Sequence, residues 1–296
     1  MGPLPEGLIE MSDAAETKRP DRALSVCQIT TRDWTFEQDV RGYAAAGVRG
    51  LSVWWNKLQP VGPKAAARLL ADAGLRAVSM VGLPPLLAGD AGMSEASFST
   101  MMSALDACHA LGIDRIGLVP GPSHGRSVER LDGLVVTALQ NLAPHAIARG
   151  VVLALEPVRN PYLDYLNTLE HADRLVKAAG RDAVGLLFDV WHLCREPDLW
   201  AHIAASAPRI SLVHVSDWRE PTRCHDDRLI PGEGVLPLQQ ILLGLDRAGY
   251  RGVYDVEIFS PDVWGADYAD VLRRCRSFFD AIDWDNEQQG QENARG

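Results

Sequence analysis

The chain has 296 residues, and its 39 acidic residues outnumber 29 lysines and arginines, which leaves a formal net charge of -10. Hydrophobic residues make up 47 % and charged residues 23 % of the chain, so collagen, fibrous coiled coils and wholesale disorder are excluded. The acid excess disfavours nucleic acid as a partner, no apolar run reaches the roughly 18 residues of a membrane span, and five scattered cysteines without a CxxC pair predict a reduced, cytoplasmic setting.

Short apolar runs alternate with longer helical segments over most of the chain. We predict a flexible arm over residues 1–21, a flexible tail over 285–296 and one folded domain over 22–284. Eight runs are predicted to be strands because they are apolar on both faces, as buried parallel strands are. In chain order these runs are 24–29, 48–54, 76–81, 115–119, 151–155, 184–188, 210–215 and 253–258.

Helical periodicity occupies the segments between these strands. The clearest helical segments are 34–46, 94–111, 129–148, 168–179, 237–248 and 267–282. Asp33 is the expected N-cap of the first segment, and glycines such as Gly112 follow several segments just before a strand, as left-handed C-caps do. Eight strands alternating with helices over roughly 250 residues predict an α/β protein with a single (β/α)8 TIM barrel, rather than a doubly wound sheet.

Four successive predicted strands, the fifth to the eighth, end in charged or ionisable residues: Glu156, Asp189, His214 and Glu257. Active sites of such barrels lie at the C-terminal ends of the strands, so these side chains are expected to converge. Three converging carboxylates repel one another in apolar surroundings unless a cation joins them. Three oxygens and one nitrogen suit Mn²⁺, Mg²⁺ or Co²⁺ better than a structural zinc. Four unrelated strand-end polar groups are the alternative interpretation.

Three further residues follow predicted strands and are candidates for the same site. Trp54 is a candidate substrate-binding residue because an aromatic face suits the C–H surface of a sugar, although tryptophan also fills barrel rims. His124 lies in a Gly/Pro-rich loop and is a second candidate to line the pocket. Asp217 either accepts a hydrogen bond that orients a metal ligand or caps the turn that follows it.

The second half of the chain resembles the xylose-isomerase-like barrel superfamily of sugar isomerases and epimerases. The resemblance is specific over residues 151–260 and looser over the first half. It is carried by the segments LALEPV, GLLFDVWHL, LVHVSDW, DDRLIPGEG and YDVEIFS, in this order and spacing.

This resemblance implies roles for individual residues. In ketose 3-epimerases of this kind, the residues matching the four strand-end ligands bind one divalent ion, often manganese. The glutamates matching Glu156 and Glu257 also exchange protons with the substrate from opposite sides. The residues matching His192 and Arg228 contact substrate oxygens, although a histidine bonded to the backbone and a surface ion pair are the respective alternatives.

The sequence therefore predicts a divalent-metal-dependent isomerase or epimerase that acts on a ketose or related keto-polyol through an enediolate, with Mn²⁺ as the preferred ion. A lyase or dehydratase on the same scaffold remains open: dehydration of a keto-inositol or of dehydroshikimate, or cleavage of a C-glycosyl bond. A DNA-repair endonuclease is disfavoured by the acidic charge and by the absence of any histidine before His109. A small sugar or polyol is the expected partner, with no nucleic acid and no membrane, and a homodimer or homotetramer is expected by analogy.

Overall fold

The computed structural model describes residues 24–88 and 92–284, so the predicted arm over 1–21 and tail over 285–296 lie outside the described residues. The strands are β1 Leu24–Cys27, β2 Gly50–Trp54, β3 Arg76–Val81, β4 Arg115–Leu118, β5 Val152–Leu155, β6 Val184–Asp189, β7 Ile210–Val215, β8 Asp217–Trp218, β9 Arg228–Leu229 and β10 Tyr254–Val256.

Eight of these strands form a closed parallel barrel in the order β1-β10-β7-β6-β5-β4-β3-β2. Each predicted strand corresponds to one of them, so the single (β/α)8 barrel is confirmed. The short strands β8 and β9 form an antiparallel ribbon, in which Asp217 pairs with Leu229 and Trp218 with Arg228. The sequence did not predict this ribbon, because two-residue strands are too short to show a period.

The helices are α1 Phe36–Ala45, α2 Trp55–Val61, α3 Pro63–Asp72, α4 Glu95–Leu111, α5 Val128–Ile147, α6 Leu169–Ala179, α7 Val190–Leu193, α8 Leu199–Ser206, α9 Leu238–Arg247, α10 Pro261–Trp264 and α11 Tyr268–Asp280. All six predicted helical segments are present, with bounds shifted by one or two residues at most ends. The helices α2, α3, α7, α8 and α10 were not predicted. All of them except α3 have eight residues or fewer, and so few turns carry little periodicity.

The start of α1 corrects one prediction. The N-cap is Thr35, not Asp33: the Thr35 side chain accepts the backbone N–H of Gln38, and the Gln38 side chain accepts the backbone N–H of Thr35. This reciprocal pair is a capping box, which satisfies two backbone donors where an aspartate satisfies one. Gly112 ends α4 in the left-handed conformation, as its position predicted.

The core lies between the barrel and the surrounding helices, and it continues inside the barrel. Large side chains such as Tyr43, Met101 and Phe188 are fully buried there. Inside the barrel the packing is partly polar, since Ser25, Ser52, Ser79 and Asp255 are also fully buried. Among the described residues, no helix combines the length and apolarity needed to cross a membrane.

Candidate metal centre

The four predicted ligands come from four neighbouring strands of the barrel wall. Glu156 directly follows β5, Asp189 is the last residue of β6, His214 is the penultimate residue of β7, and Glu257 directly follows β10. These strands are adjacent in the closed barrel, so their C-terminal ends meet. One ligand atom from each residue lies within 4.8 Å of the others, and all four side chains are buried.

His214 lies at the centre of this cluster. Its Nδ1 atom is 3.3 Å from Glu257 Oε2 and 3.9 Å from both Glu156 Oε1 and Asp189 Oδ2. Neither ring nitrogen of His214 has a hydrogen-bond partner within the described part of the chain. A buried imidazole nitrogen without a partner and three facing carboxylates are the oxygen-rich donor set that a divalent cation takes. The residues present therefore fit such an ion.

The buried groups of the cluster shift one another's pKa values, upward for Glu156 and His214 and downward for Glu257. Burial, reinforced by the nearby carboxylates, raises the pKa of Glu156 to about 8. Burial also opposes charge on His214, but Glu257 and Glu156 outweigh it and raise the pKa of His214 to about 10. For Glu257 the effect of burial is outweighed by His214 and Arg228, which lower the pKa of this carboxyl. Without a cation, protons on Glu156 and His214 thus reduce the repulsion within the cluster.

Arg228 completes the charge balance from the ribbon above the cluster. Its Nη1 atom donates to Asp189 Oδ2 at 2.8 Å and to Glu257 Oε2 at 3.2 Å. The guanidinium also lies over the rings of Trp191 and Phe259, and the side chain is 4 % exposed. The structure therefore places Arg228 in a buried ion pair at the site, rather than in the surface ion pair that its acidic neighbours in the sequence allowed.

His192 lies beside Arg228 in the one-turn helix α7. Asp189 Oδ1 accepts the backbone N–H groups of Trp191 and His192, which caps this helix. Arg228 Nη2 is 3.2 Å from His192 Nε2, and because arginine only donates, Nε2 accepts and the proton lies on Nδ1. Burial lowers the pKa of His192 to about 4, so the ring is neutral and its buried Nδ1–H has no partner among the described residues.

Asp217 does not reach the ligands; it organises the loop that carries Arg228. Its carboxylate accepts the backbone N–H groups of Trp218, Gly232, Gly234 and Leu236 at 2.8–3.0 Å. The side chain is fully used by these four bonds and is 1 % exposed. Of the two roles that the sequence left open, this geometry matches the turn-capping one.

Trp54 and His124 are not brought to the ligand cluster. The Trp54 ring packs against Gly82, where a Cβ atom would overlap it, and Gly82 itself lines the cavity next to the cluster. Trp54 therefore supports the cavity wall from behind. His124 is exposed, with a φ of 50°, in the loop after β4, and it is not among the residues that line the cavity.

A cavity of about 270 Å³ opens beside the ligand cluster, and Glu156 and Glu257 both line it. The apolar side chains that line it are those of Val81, Leu83, Val119, Val158, Leu163 and Phe259. The other polar and charged side chains that line it are those of Asn160, His192, His225, Asp226 and Arg228. Sequence reasoning missed Asn160, His225 and Asp226, because they lie in irregular loops where no periodicity predicts the direction of a side chain.

Comparisons with known proteins agree with this architecture. An inosose isomerase from Bacillus velezensis is 28 % identical over 193 residues, which cover 62 % of this chain and 67 % of that protein. An L-ribulose 3-epimerase from Mesorhizobium japonicum is 25 % identical over 209 residues, covering 67 % of this chain and 66 % of that protein. The matched segments thus span about two thirds of each relative.

The solved structure of the IOLI protein with a bound zinc atom shares the fold, with a TM-score of 0.79 and 21 % identity over 88 % of this chain and 97 % of that one. The family model described as xylose isomerase-like TIM barrel matches residues 40–278. This match covers most of the chain, including all four predicted ligand residues. The chain therefore belongs to the xylose isomerase-like TIM barrel family.

Proposed function

We propose that this protein is a divalent-metal-dependent isomerase or epimerase acting on an uncharged ketose or related keto-polyol. One observation carries the proposal: a buried imidazole and three carboxylates converge within 4.8 Å at the C-terminal face of the barrel. The two relatives, whose names denote an isomerase and an epimerase, support the reaction class.

The two glutamates are the proposed acid and base. They follow β5 and β10, which are separated by β6 and β7 in the barrel, so they approach the cavity from different sides. In the metal-free protein the pKa of Glu156 is raised to about 8 while that of Glu257 is lowered. A cation bound by both glutamates displaces the proton from Glu156, so each is then a carboxylate that can take up a proton at its own side of the cavity.

Two other side chains stabilise the developing negative charge. A divalent cation held by the four ligands would supply the main positive charge next to an enediolate. His192 lines the cavity with a neutral ring, and Arg228 offers the guanidinium beside it. Donors that are fixed before the reaction favour the oxyanion over the ground state. Glu257 as a carboxylate removes the proton next to the carbonyl, and Glu156, which takes up a proton from solvent through the cavity, delivers it from the other side.

The charge distribution of the cavity supports an uncharged substrate. Arg228 is the one lysine or arginine that lines the cavity within the described residues, and its Nη1 atom is already paired with Asp189 and Glu257. A phosphate or carboxylate on the substrate would therefore meet no unpaired arginine or lysine there. This observation favours a neutral polyol over dehydroshikimate, which carries a carboxylate. Elimination from a neutral keto-inositol remains the second candidate.

A substrate panel tests the proposal. The metal-free protein is supplied with Mn²⁺, Mg²⁺, Co²⁺ or Zn²⁺ and incubated with neutral ketoses and inososes, their phosphates and dehydroshikimate. Products are read by mass and by chirality. Unchanged mass with altered configuration supports isomerisation, and loss of water supports the dehydratase. No dependence of turnover on any divalent ion contradicts the proposal.

Two substitutions test the acid and base roles. Glu156→Gln and Glu257→Gln should each reduce exchange of the substrate α-proton with deuterated water by about 10²- to 10⁴-fold, the usual contribution of a positioned acid or base. Asp226→Asn is the matched control, because Asp226 also lines the cavity but is not a ligand. Full exchange in either glutamine variant would remove that glutamate from the mechanism.

Manganese as the resident ion, the cytoplasmic setting and a homodimer or homotetramer stay predictions. Calorimetric titration of the metal-free protein with each of the four ions ranks their affinities, and sedimentation velocity gives the assembly.

A further inference from the structure

Asp255 lies inside the barrel, next to the metal centre and away from the cavity. It is two residues before Glu257, so the strand period of two puts both side chains on the inner face of the barrel. The strand register places Asp255 beside His214 on β7 and beside Ser25 on β1. All three side chains are fully buried. The sequence did not single Asp255 out, although its alternation with Glu257 carried the signal.

The carboxylate of Asp255 has one neighbour that can share its charge. Its Oδ2 atom is 3.7 Å from His214 Nε2. Within the described residues, no other nitrogen of a lysine, arginine or histidine side chain lies within 4.0 Å of it. Neither oxygen of Asp255 makes a hydrogen bond of ordinary geometry among those residues, and the same holds for His214 Nε2 and Ser25 Oγ. Burial raises the pKa of Asp255 to about 7, although His214 and the nearby hydroxyls of Ser25 and Ser52 oppose this shift. A fully buried carboxylate is costly unless it is paired, so its position opposite His214 needs a physical reason.

We propose that Asp255 is a positioning residue: it accepts the Nε2–H of His214 and thereby presents the Nδ1 lone pair to the cation. A neutral imidazole carries one proton, and only the other nitrogen can bind a metal ion. If the proton were on Nδ1, it would point at the three carboxylates and block the ligand position. An acceptor at Nε2 fixes the proton on the far side of the ring.

The distance of 3.7 Å is longer than a formed hydrogen bond, and a small rotation of either side chain closes it. Histidine ligands of metal ions generally donate their second N–H to a carboxylate or carbonyl in this way, which fixes the ring and increases its basicity. The inference rests on the proposed function only in requiring a cation at the four ligands; it is independent of the reaction that follows.

Metal binding by the metal-free protein tests this role without an activity assay. Asp255→Ala removes the acceptor, Asp255→Asn keeps one acceptor oxygen of the same shape, and Ser25→Ala is the matched control on the other side of Asp255. Calorimetric titration with MnCl₂ measures affinity. Electron spin-echo modulation of the Mn²⁺-loaded protein detects the nitrogen nucleus of a coordinated imidazole.

We expect Asp255→Ala to weaken Mn²⁺ binding about 10- to 100-fold, the usual effect of losing such a partner, and to diminish the nitrogen modulation. Asp255→Asn should lie between the wild type and the alanine variant, and Ser25→Ala should bind like the wild type. The thermal midpoints of the metal-free alanine variant and of Ser25→Ala report whether each variant still folds.

Wild-type affinity and nitrogen modulation in Asp255→Ala would overturn the inference while leaving the proposed function intact. An equal loss of affinity in Ser25→Ala, or in Asp255→Asn and Asp255→Ala alike, would also overturn it, because the effect would not depend on the acceptor oxygen. Absence of Mn²⁺ binding to the wild-type protein would overturn both the inference and the proposed function.

Discussion

Substitution of Asp217 is the most informative perturbation of the loop that carries Arg228. The four backbone N–H groups that Asp217 accepts include those of Gly232, Gly234 and Leu236, which fasten the returning chain after the β8–β9 ribbon. Hydrogen bonds to a charged group contribute about 1.5–3 kcal/mol each. Three such bonds summed give an upper limit of roughly 5–9 kcal/mol, and bonds that share one carboxylate contribute less than their sum. We therefore expect Asp217→Ala to lower the free energy of unfolding by about 2–4 kcal/mol.

The same substitution should affect substrate binding more than turnover. Arg228 is on β9, and the next residue of β9, Leu229, pairs with Asp217. When the loop loosens, the Arg228 guanidinium therefore spends less time in contact with Asp189 and Glu257, and the substrate site is less often complete. Urea unfolding with linear extrapolation measures the stability, and initial-rate kinetics separate KM from kcat. KM should rise while kcat at saturation falls less.

A second perturbation of the same loop and a surface control test this prediction. Gly234→Ala should reproduce the effect, because a Cβ at this position would overlap Asp217 Oδ1 and the Trp218 carbonyl. Asp72→Ala is the control, since Asp72 is an exposed aspartate of α3. A loss below about 0.5 kcal/mol in Asp217→Ala, within the range of ordinary surface substitutions, together with an unchanged KM, would refute the reasoning.

Three other predictions follow from the charges of the buried groups. Arg228→Ala should raise KM about 10-fold or more, since it removes charged hydrogen bonds, and unchanged KM and kcat would refute its assignment. Divalent-cation binding should release about two protons at pH 7 and about one at pH 9, because Glu156 and His214 have pKa values of about 8 and about 10 in the metal-free protein. The affinity for the cation should therefore rise with pH. Calorimetry in buffers of different ionisation enthalpy measures the number of protons released, and a value of zero would contradict this prediction. Asp39→Ala should cost about 3–5 kcal/mol in urea unfolding, because it leaves the buried Lys57 charge without its carboxylate and with the Thr31 carbonyl as its acceptor. Lys57→Met should cost less, since Gln28 and Thr31 still donate to Asp39, and equal losses would count against this explanation.

The fold and the convergence of the four predicted ligands were predictable because both depend on local patterns. Each strand is an apolar run, and each ligand stands at the end of such a run. Barrel closure makes the C-terminal ends of neighbouring strands converge whatever the connecting loops do. The order of Glu156, Asp189, His214 and Glu257 along the chain is therefore also their order around the barrel.

Loop residues were predicted less well. His124 and His192 both follow a strand, but α7 turns His192 into the site whereas the loop after β4 leaves His124 exposed. Asp217 and Arg228 are neighbours only because the ribbon folds back on itself. Such directions depend on backbone conformations that have no period in the sequence.

Part of the acid excess of the sequence lies in the cluster of carboxylates at the strand ends. By itself, the sequence determined a closed βα barrel and the four strand-end residues that converge in it, because both follow from residue type and spacing along single strands. Only the tertiary structure decided which charges surround them: Arg228 beside the carboxylates, Asp255 beside His214, and the burial that shifts the pKa of Glu156 upward. Charge interactions depend on separation and burial, and both are properties of the packed barrel rather than of any one segment.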